Sequence, residues 1–553
     1  MRTVLKAVLI VAIAAAGGWA LGQEKNGSSI TTKALEAAEK IIGLTFTPEE
    51  RDSMIDDASD NLESYMKLRT VALENGVAPA LDFDPLPDGL PFMSEGAFEG
   101  VDVGPPTDVS IPDDIEGLAF RSIRDLAELI RTRKITSTAL TRMYLDRLKR
   151  YGPRLECVIT LTEELALEQA RRADEEIAAG TYRGLLHGIP YGAKDLLAVK
   201  GYKTTWGAMP YKDQVIDTDA TVIRKLEEAG AVLVAKLTLG ALAWGDVWYG
   251  GMTRNPWNPE RGSSGSSAGP ASATAAGLVA FAIGTETWGS IVSPCTRCGA
   301  TGLRPTFGRV SRAGAMALSW SMDKIGPICR RAEDCAIVFD AIRGPDGIDR
   351  TVMDLPFSYD HEIDLSAVRI GYVKELFEED YPQRETDAAT LETLRTLGAE
   401  LIPITLPAYP VEALAFILSA EASAAFDELT RSGRDELMVR QIKNAWPNVF
   451  RSSRFIPAVE YIQANRIRYL IMQEMEQLDV DVYVVPSFGG NNLLLTNLTG
   501  HPCVVVPNGF NDEGSPVSIS FIGKLFDEGT LIAVAQTYQD ATDFDETHPP
   551  LFR

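Results

Sequence analysis

Histidine and cysteine are scarce in this chain, which has 4 and 6 of them in 553 residues. A Ser-His-Asp triad needs an imidazole beside its serine, and none of His187, His361, His501 and His548 follows a nucleophile-elbow pattern. Six cysteines do not make a disulfide scaffold in a chain of this length. Cys295-x-x-Cys298 lacks a second pair at zinc-like spacing and the setting of a thioredoxin motif, so the expectation is free buried thiols or one incidental disulfide, with no metal and no cofactor. Positive charge is also short: 53 Lys and Arg face 77 Asp and Glu, a formal net charge of −24. That balance argues against a nucleic-acid partner, because phosphate binding needs clustered cations. No internal repeat is evident.

What is present is ordinary globular composition, 45% hydrophobic and 24% charged. At the start, Arg2 and Lys6 precede an uncharged run over residues 7–22, shorter than the roughly 20 apolar residues of a spanning helix. It reads as a secretory signal peptide cut after Gly22, with an uncleaved anchor as the alternative, and predicts a secreted or periplasmic protein with no stable membrane span. Residues 23–113 read as an N-terminal extension: helices over 32–42 and 48–75, Thr47 as N-cap, then a Pro- and Gly-rich strap over 79–112. A flexible pro-segment is the other reading of this stretch.

From residue 114 onward α and β patterns alternate. Residues 122–132, 137–151, 163–179 and 219–229 have helical spacing, with Thr162 as a possible N-cap, and 231–235, 325–327, 368–373 and 482–486 read as strands. Residues 409–471 are helical in pattern, and Trp446, Phe450 or Phe455 there are candidates to shape a substrate pocket, although core packing explains an aromatic in a helix more often.

Two serine-bearing turns stand out. Small residues dominate from Gly262 to Gly277, where the backbone can bend tightly and present several N–H groups to one point. After the apolar run 278–283, a second Gly-rich turn spans Gly284 to Ser290. Such geometry suits an anion or a nucleophilic serine; a featureless Gly/Ser linker would not pass directly into an apolar segment and a second turn.

Taken with Asn255-Pro256-Trp257, Arg261 and the segment Gly188-Ile189-Pro190-Tyr191-Gly192-Ala193-Lys194-Asp195, these turns resemble the signature of the amidase signature family, over roughly residues 115–552. The family's 24-residue spacing back from Ser290 falls on Ser266, not on Ser263. The resemblance implies an α/β fold, a large mixed β-sheet covered by helices on both faces. It also implies that Ser290 is the nucleophile, Ser266 a bridging serine after a cis Gly265-Ser266 peptide, and Lys194 the base. The N–H groups of Thr287, Trp288, Gly289 and Ser290 would form the oxyanion hole, and Ser267 would play a supporting part. A lysine base must be neutral, yet free lysine titrates near about 10.4, so its site must be dry. Asp195 would oppose this if it came close, and the resemblance directs it elsewhere.

Three departures from the family pattern stand in the second turn: Glu286 for aspartate, Trp288 for glycine, where it could narrow or line the acyl pocket, and Val292 for arginine. None removes a catalytic atom. The implied activity is hydrolysis of a small or peptide-like carboxamide. The alternatives are the A-type component of a glutamine-dependent tRNA amidotransferase and an inactive amidase-fold binding protein.

Overall fold

The computed structural model describes residues 30–87 and 100–553, so the opening run 1–22 lies outside the described residues. The chain divides into two compact units, Met1–Leu73 and Glu74–Arg553. In the first, the helices Thr32–Ile42 and Pro48–Leu68 are joined by a two-pronged ion pair from Arg51 to Glu39, at 2.5 and 2.8 Å. Thr47 caps the second helix as expected: its hydroxyl accepts from Glu50 N while the Glu50 carboxylate accepts from Thr47 N, with Pro48 in the first turn where its missing N–H costs nothing. That helix stops at Leu68, short of residue 75.

The second unit takes in residues 74–87 and 100–113, and two segments there bond to the rest of it. Asn75 hydrogen-bonds through its side-chain amide to both N and O of Ala317. Gly100–Asp102 pairs in parallel with Ser358–Asp360.

Eleven strands build the main sheet: β1 (Val158–Leu161), β2 (Pro190–Lys194), β3 (Val232–Leu237), β4 (Phe281–Glu286), β5 (Thr301–Arg304), β6 (Lys324–Cys329), β7 (Ile370–Val373), β8 (Leu401–Ile404), β9 (Val482–Pro486), β10 (Cys503–Phe510) and β11 (Pro516–Gly523). Their order is β8-β7-β9-β11-β10-β5-β6-β4-β2-β3-β1, with β4, β2 and β3 parallel and an antiparallel run from β9 to β4. Both faces are covered. On β10, Val504 and Val506 enter one core cluster while Cys503 and Val505 enter another, and on β3 Leu233 separates from Val232 and Val234 in the same way. A strand buried on both sides has no reason to alternate, which is why β3 and β10 are near-continuous apolar runs.

The helices Ile123–Arg131, Ser137–Leu155, Glu163–Ala178 and Thr221–Glu228 fall where the periodicity predicts them. Thr162 stands at the start of its helix but does not cap it: its hydroxyl donates instead to Leu233 O at 2.6 Å, tying the helix to the sheet. In the helical region after residue 409, Trp446 and Phe450 are buried and stack on each other at 5.0 Å, while Phe455 is exposed.

Candidate active site

Two neighbouring strand ends define the site. Lys194 is the last residue of β2, and Thr285 and Glu286 end its parallel neighbour β4. The first serine turn, 263–267, leads into the helix Ala268–Ala275, which returns to β4, and the second, 287–291, leads into the helix Val292–Cys298. Ser267 N donates to Ser290 O at 3.1 Å, so the two turns are held against each other by backbone.

Lys194 is fully buried. Its Nζ donates to Ser266 Oγ at 2.9 Å, Ser267 Oγ at 3.0 Å, Thr285 Oγ1 at 2.8 Å and Thr285 O at 3.3 Å, and every one of these acceptors is uncharged. Burial therefore pushes the ammonium well below the ordinary lysine range, against the weaker pull of the Asp323 and Glu286 carboxylates. Asp195, the next residue in the chain, is turned away: it meets Lys236 Nζ at 2.7 Å and accepts from Thr205 N at 2.8 Å and Thr205 Oγ1 at 2.5 Å.

The peptide Gly265-Ser266 is cis. Residue 265 has to be glycine because a Cβ there would lie 1.9 Å from Gly245 O. Ser266 Oγ thus sits within hydrogen-bond reach of Lys194; no hydrogen bond from it to Ser290 is formed among the described residues.

Glu286 organises the second turn. Its Oε2 accepts from Ile291 N at 2.7 Å and Val292 N at 3.0 Å, while its Oε1 meets Arg304 at 2.7 Å and Asn497 Nδ2 at 2.8 Å. Although burial opposes ionisation, Arg304 and these donors hold the carboxyl down at about 2. The glutamate that replaces the family's aspartate is thus a fully buried clamp. Among the described residues no acceptor takes the N–H groups of Thr287, Trp288, Gly289 or Ser290, so the four donors just before the clamp are unengaged. Gly289 has φ +82, a conformation that L side chains rarely adopt. Trp288, among these donors, is 44% exposed.

Two residues outside the sequence-based assignment belong to the site. Thr285 is the shortest contact of the lysine, and Asp323 Oδ1 accepts from Thr287 Oγ1 at 2.6 Å while its Oδ2 is held by Leu318 N and Ser319 N. Thr285 lies inside the motif and was legible there as a hydroxyl at a strand end; Asp323, 36 positions beyond Thr287, carried no such signal.

The cysteines are all buried and free. Of the histidines, His501 is fully buried and pushed down to about 3 by burial and the nearby Arg304, and Thr499 Oγ1 lies 2.8 Å from its Nδ1. It has no contact with the serines. Among the described residues one cluster has spacing that would suit a metal ion, the exposed Asp102 and Asp360 with the half-buried His361, remote in sequence from the serine turns.

Comparison with known proteins gives the family. The family described as Amidase matches residues 139–495. The A-type component of the glutamyl-tRNA(Gln) amidotransferase of Carboxydothermus hydrogenoformans is 33% identical over 486 residues, covering 78% of this chain and all of that protein. Its counterpart in Methylococcus capsulatus is 35% identical, covering 78% of this chain and 98% of that one. Among solved structures, the native peptide amidase of Stenotrophomonas maltophilia aligns with a TM-score of 0.68 at 30% identity, over 77% of this chain and 98% of that one. On the strength of the matched span and these identities, the chain belongs to the amidase family.

Proposed function

We propose that this enzyme cleaves the C–N bond of a carboxamide through an acyl-enzyme on Ser290. The observation that carries this reading is the Lys194 amine: fully buried, surrounded by hydroxyls and a carbonyl, and pushed toward its neutral form beside two serine turns. A neutral amine can accept a proton relayed from Ser290 through Ser266, so that Ser290 Oγ adds to the amide carbonyl carbon. The unengaged N–H groups of residues 287–290 would stabilise the oxyanion that forms. As the intermediate collapses the C–N bond breaks, and the proton held by Lys194 passes back through Ser266 to the departing nitrogen. Water then attacks the ester, Lys194 again taking the proton, and the carboxylate leaves with Ser290 restored. Ser267 positions Lys194, and Glu286 fixes the turn.

A panel of primary and N-substituted amides, with release of ammonia or amine as readout, tests this beside the Ser290→Ala protein. Turnover that survived that substitution would sink the reading.

A second reading is favoured by the similarity to the A-type components of amidotransferases. In it the amide would be glutamine and the ammonia would pass to a partner protein. Glutamine as the preferred substrate, with hydrolysis that rises when a partner protein is added, would select it over a free-standing amidase. Export of the protein is also proposed, supported by Arg2, Lys6 and the apolar run 7–22; an intact Met1 on cytoplasmic protein, found by N-terminal sequencing, would refute it.

A further inference from the structure

A cavity of about 150 Å³ opens beside the second serine turn, with Thr285 and Thr287 in its wall. Thr285 is the residue whose hydroxyl contacts Lys194, so the cavity ends one hydrogen bond from the candidate base. Leu196, Ala243, Met316, Leu318 and Ile325 make its floor apolar. Several of its polar members are already engaged within the protein: Asp323 by Thr287, Leu318 and Ser319, Arg312 by Asp349 and the carbonyl of Trp320, Lys324 by the carbonyl of Met322, and Thr351 by Asp349. An empty, largely apolar space of this volume is the size that takes a benzene-sized group.

The outer wall comes from the strap, through Gly76, Pro79, Leu81 and Asp82. This segment lies ahead of the stretch that matches the family, residues 139–495. It is fastened at both ends. At one, the Asn75 amide bonds to N and O of Ala317, at 2.7 and 2.9 Å, on the floor side of the cavity. At the other, Asp82 lies 3.5 Å from Arg350 across the rim, an exposed pair that contributes little by itself. Leu81 is 78% exposed, so the wall is a single thin layer of chain.

We infer that the strap, residues 74–82, is a specificity element: it closes the pocket on its outer side, so that a carboxamide carrying one compact apolar group beside the scissile carbonyl is accepted and one carrying an extended apolar group is excluded. The inference rests on the proposed amide-cleaving site.

The test uses the full chain carrying Ser290→Ala, so that ligands bind without turnover, and compares benzamide with 4-phenylbenzamide by calorimetry. Benzamide should bind tighter by about tenfold or more, the range set by one misfitting apolar group in a pocket. Adding Asn75→Ala, which frees one fastening, or Leu81→Ala, which thins the wall while leaving the fastenings in place, should reduce that preference by at least threefold. Equal affinity for the two amides, binding of neither, or a preference unchanged by Leu81→Ala in a protein with native thermal unfolding would overturn the inference. Failure of the catalytic reading shows separately, as amide turnover that survives Ser290→Ala in the otherwise native chain.

Discussion

Lys194 and Lys236 lie on adjacent strands, β2 and β3, and both are fully buried, yet their surroundings give them opposite tasks. Lys236 meets the Asp195 carboxylate at 2.7 Å, with Lys203 O and Thr204 Oγ1 each at 2.6 Å, so its charge is compensated. Lys194 is given three hydroxyls and a carbonyl, and no carboxylate in contact. Burial alone therefore does not make a base. The same side chain at the same depth becomes structural when it has a counter-ion and poised for proton transfer when it has only neutral acceptors.

The largest effect should separate the two in activity. Lys194→Met should lower kcat by at least about 10³, in the range of general acid–base catalysis, and Lys194→Arg should do the same because guanidinium keeps its proton. Combining Lys194→Met with Ser290→Ala should add little, since the two act as one unit. Additive losses would separate them and break the mechanism.

Stability should reverse the ranking. Lys236→Met leaves Asp195 buried without its partner and should cost about 3–5 kcal/mol in chemical denaturation. Lys194→Met strands only hydroxyls and should change stability by about 1 kcal/mol or less. Glu286→Gln should behave like the Lys236 change, because buried Arg304 loses its counter-charge, and should lower kcat as well as the grip on Ile291 and Val292 loosens.

The pH dependence sharpens the contrast further. With its folded-state value well below the ordinary lysine range, Lys194 binds fewer protons folded than unfolded between those two values. Its contribution to stability therefore rises with pH across that window and levels off above about 10.4. The activity profile should rise through a single ionisation within the window and stay high on the alkaline side. Glu286 has the same sign in a lower window: held at about 2, it stabilises the fold above the ordinary carboxylate range, and that contribution is lost as pH falls toward 2. A bell with an alkaline limb near neutrality would contradict a lysine base.

The smallest effects belong to the histidines. Substituting His187, His361, His501 or His548 by asparagine should change kcat less than about tenfold in folded protein, since none touches Lys194, Ser266 or Ser290. One histidine that matched the lysine loss would overturn the assignment.

Much of this site was legible in the chain because its parts are local. Two glycine- and serine-rich turns and a strand ending in lysine are patterns of neighbouring residues. What could not be read was pairing across distance. Nothing in Asp195 says that its partner is Lys236 on the next strand, and nothing in Glu286 announces Arg304 and Asn497. The strands followed the same rule: β9 stood out as a short apolar run, whereas β5 and β8, four residues each, carry too few positions for a period to show. Thr162 had the right residue type for a cap, but its hydroxyl was claimed by the sheet. Residues 79–87 had the composition of an irregular strap, and only the folded chain puts Leu81 and Asp82 at the mouth of a cavity.

The six thiols carry a practical consequence. Burial pushes Cys157 up to about 12 and Cys503 to about 11, and Cys295, Cys298 and Cys329 higher, so these five carry almost no reactive thiolate while the fold is closed. Modification by an alkylating dye must then wait for the chain to open, and its rate clocks that opening. Cys298 ends the helix that follows Ser290, and its Sγ rests 3.7 Å from Ser263 O in the other serine turn. Its labelling would time the parting of the two turns, while Cys329, at the end of β6 and in a different core cluster, would time the rest of the body. Peptide mapping after brief exposure could therefore tell a local breath at the catalytic centre from global unfolding, with no engineered probe.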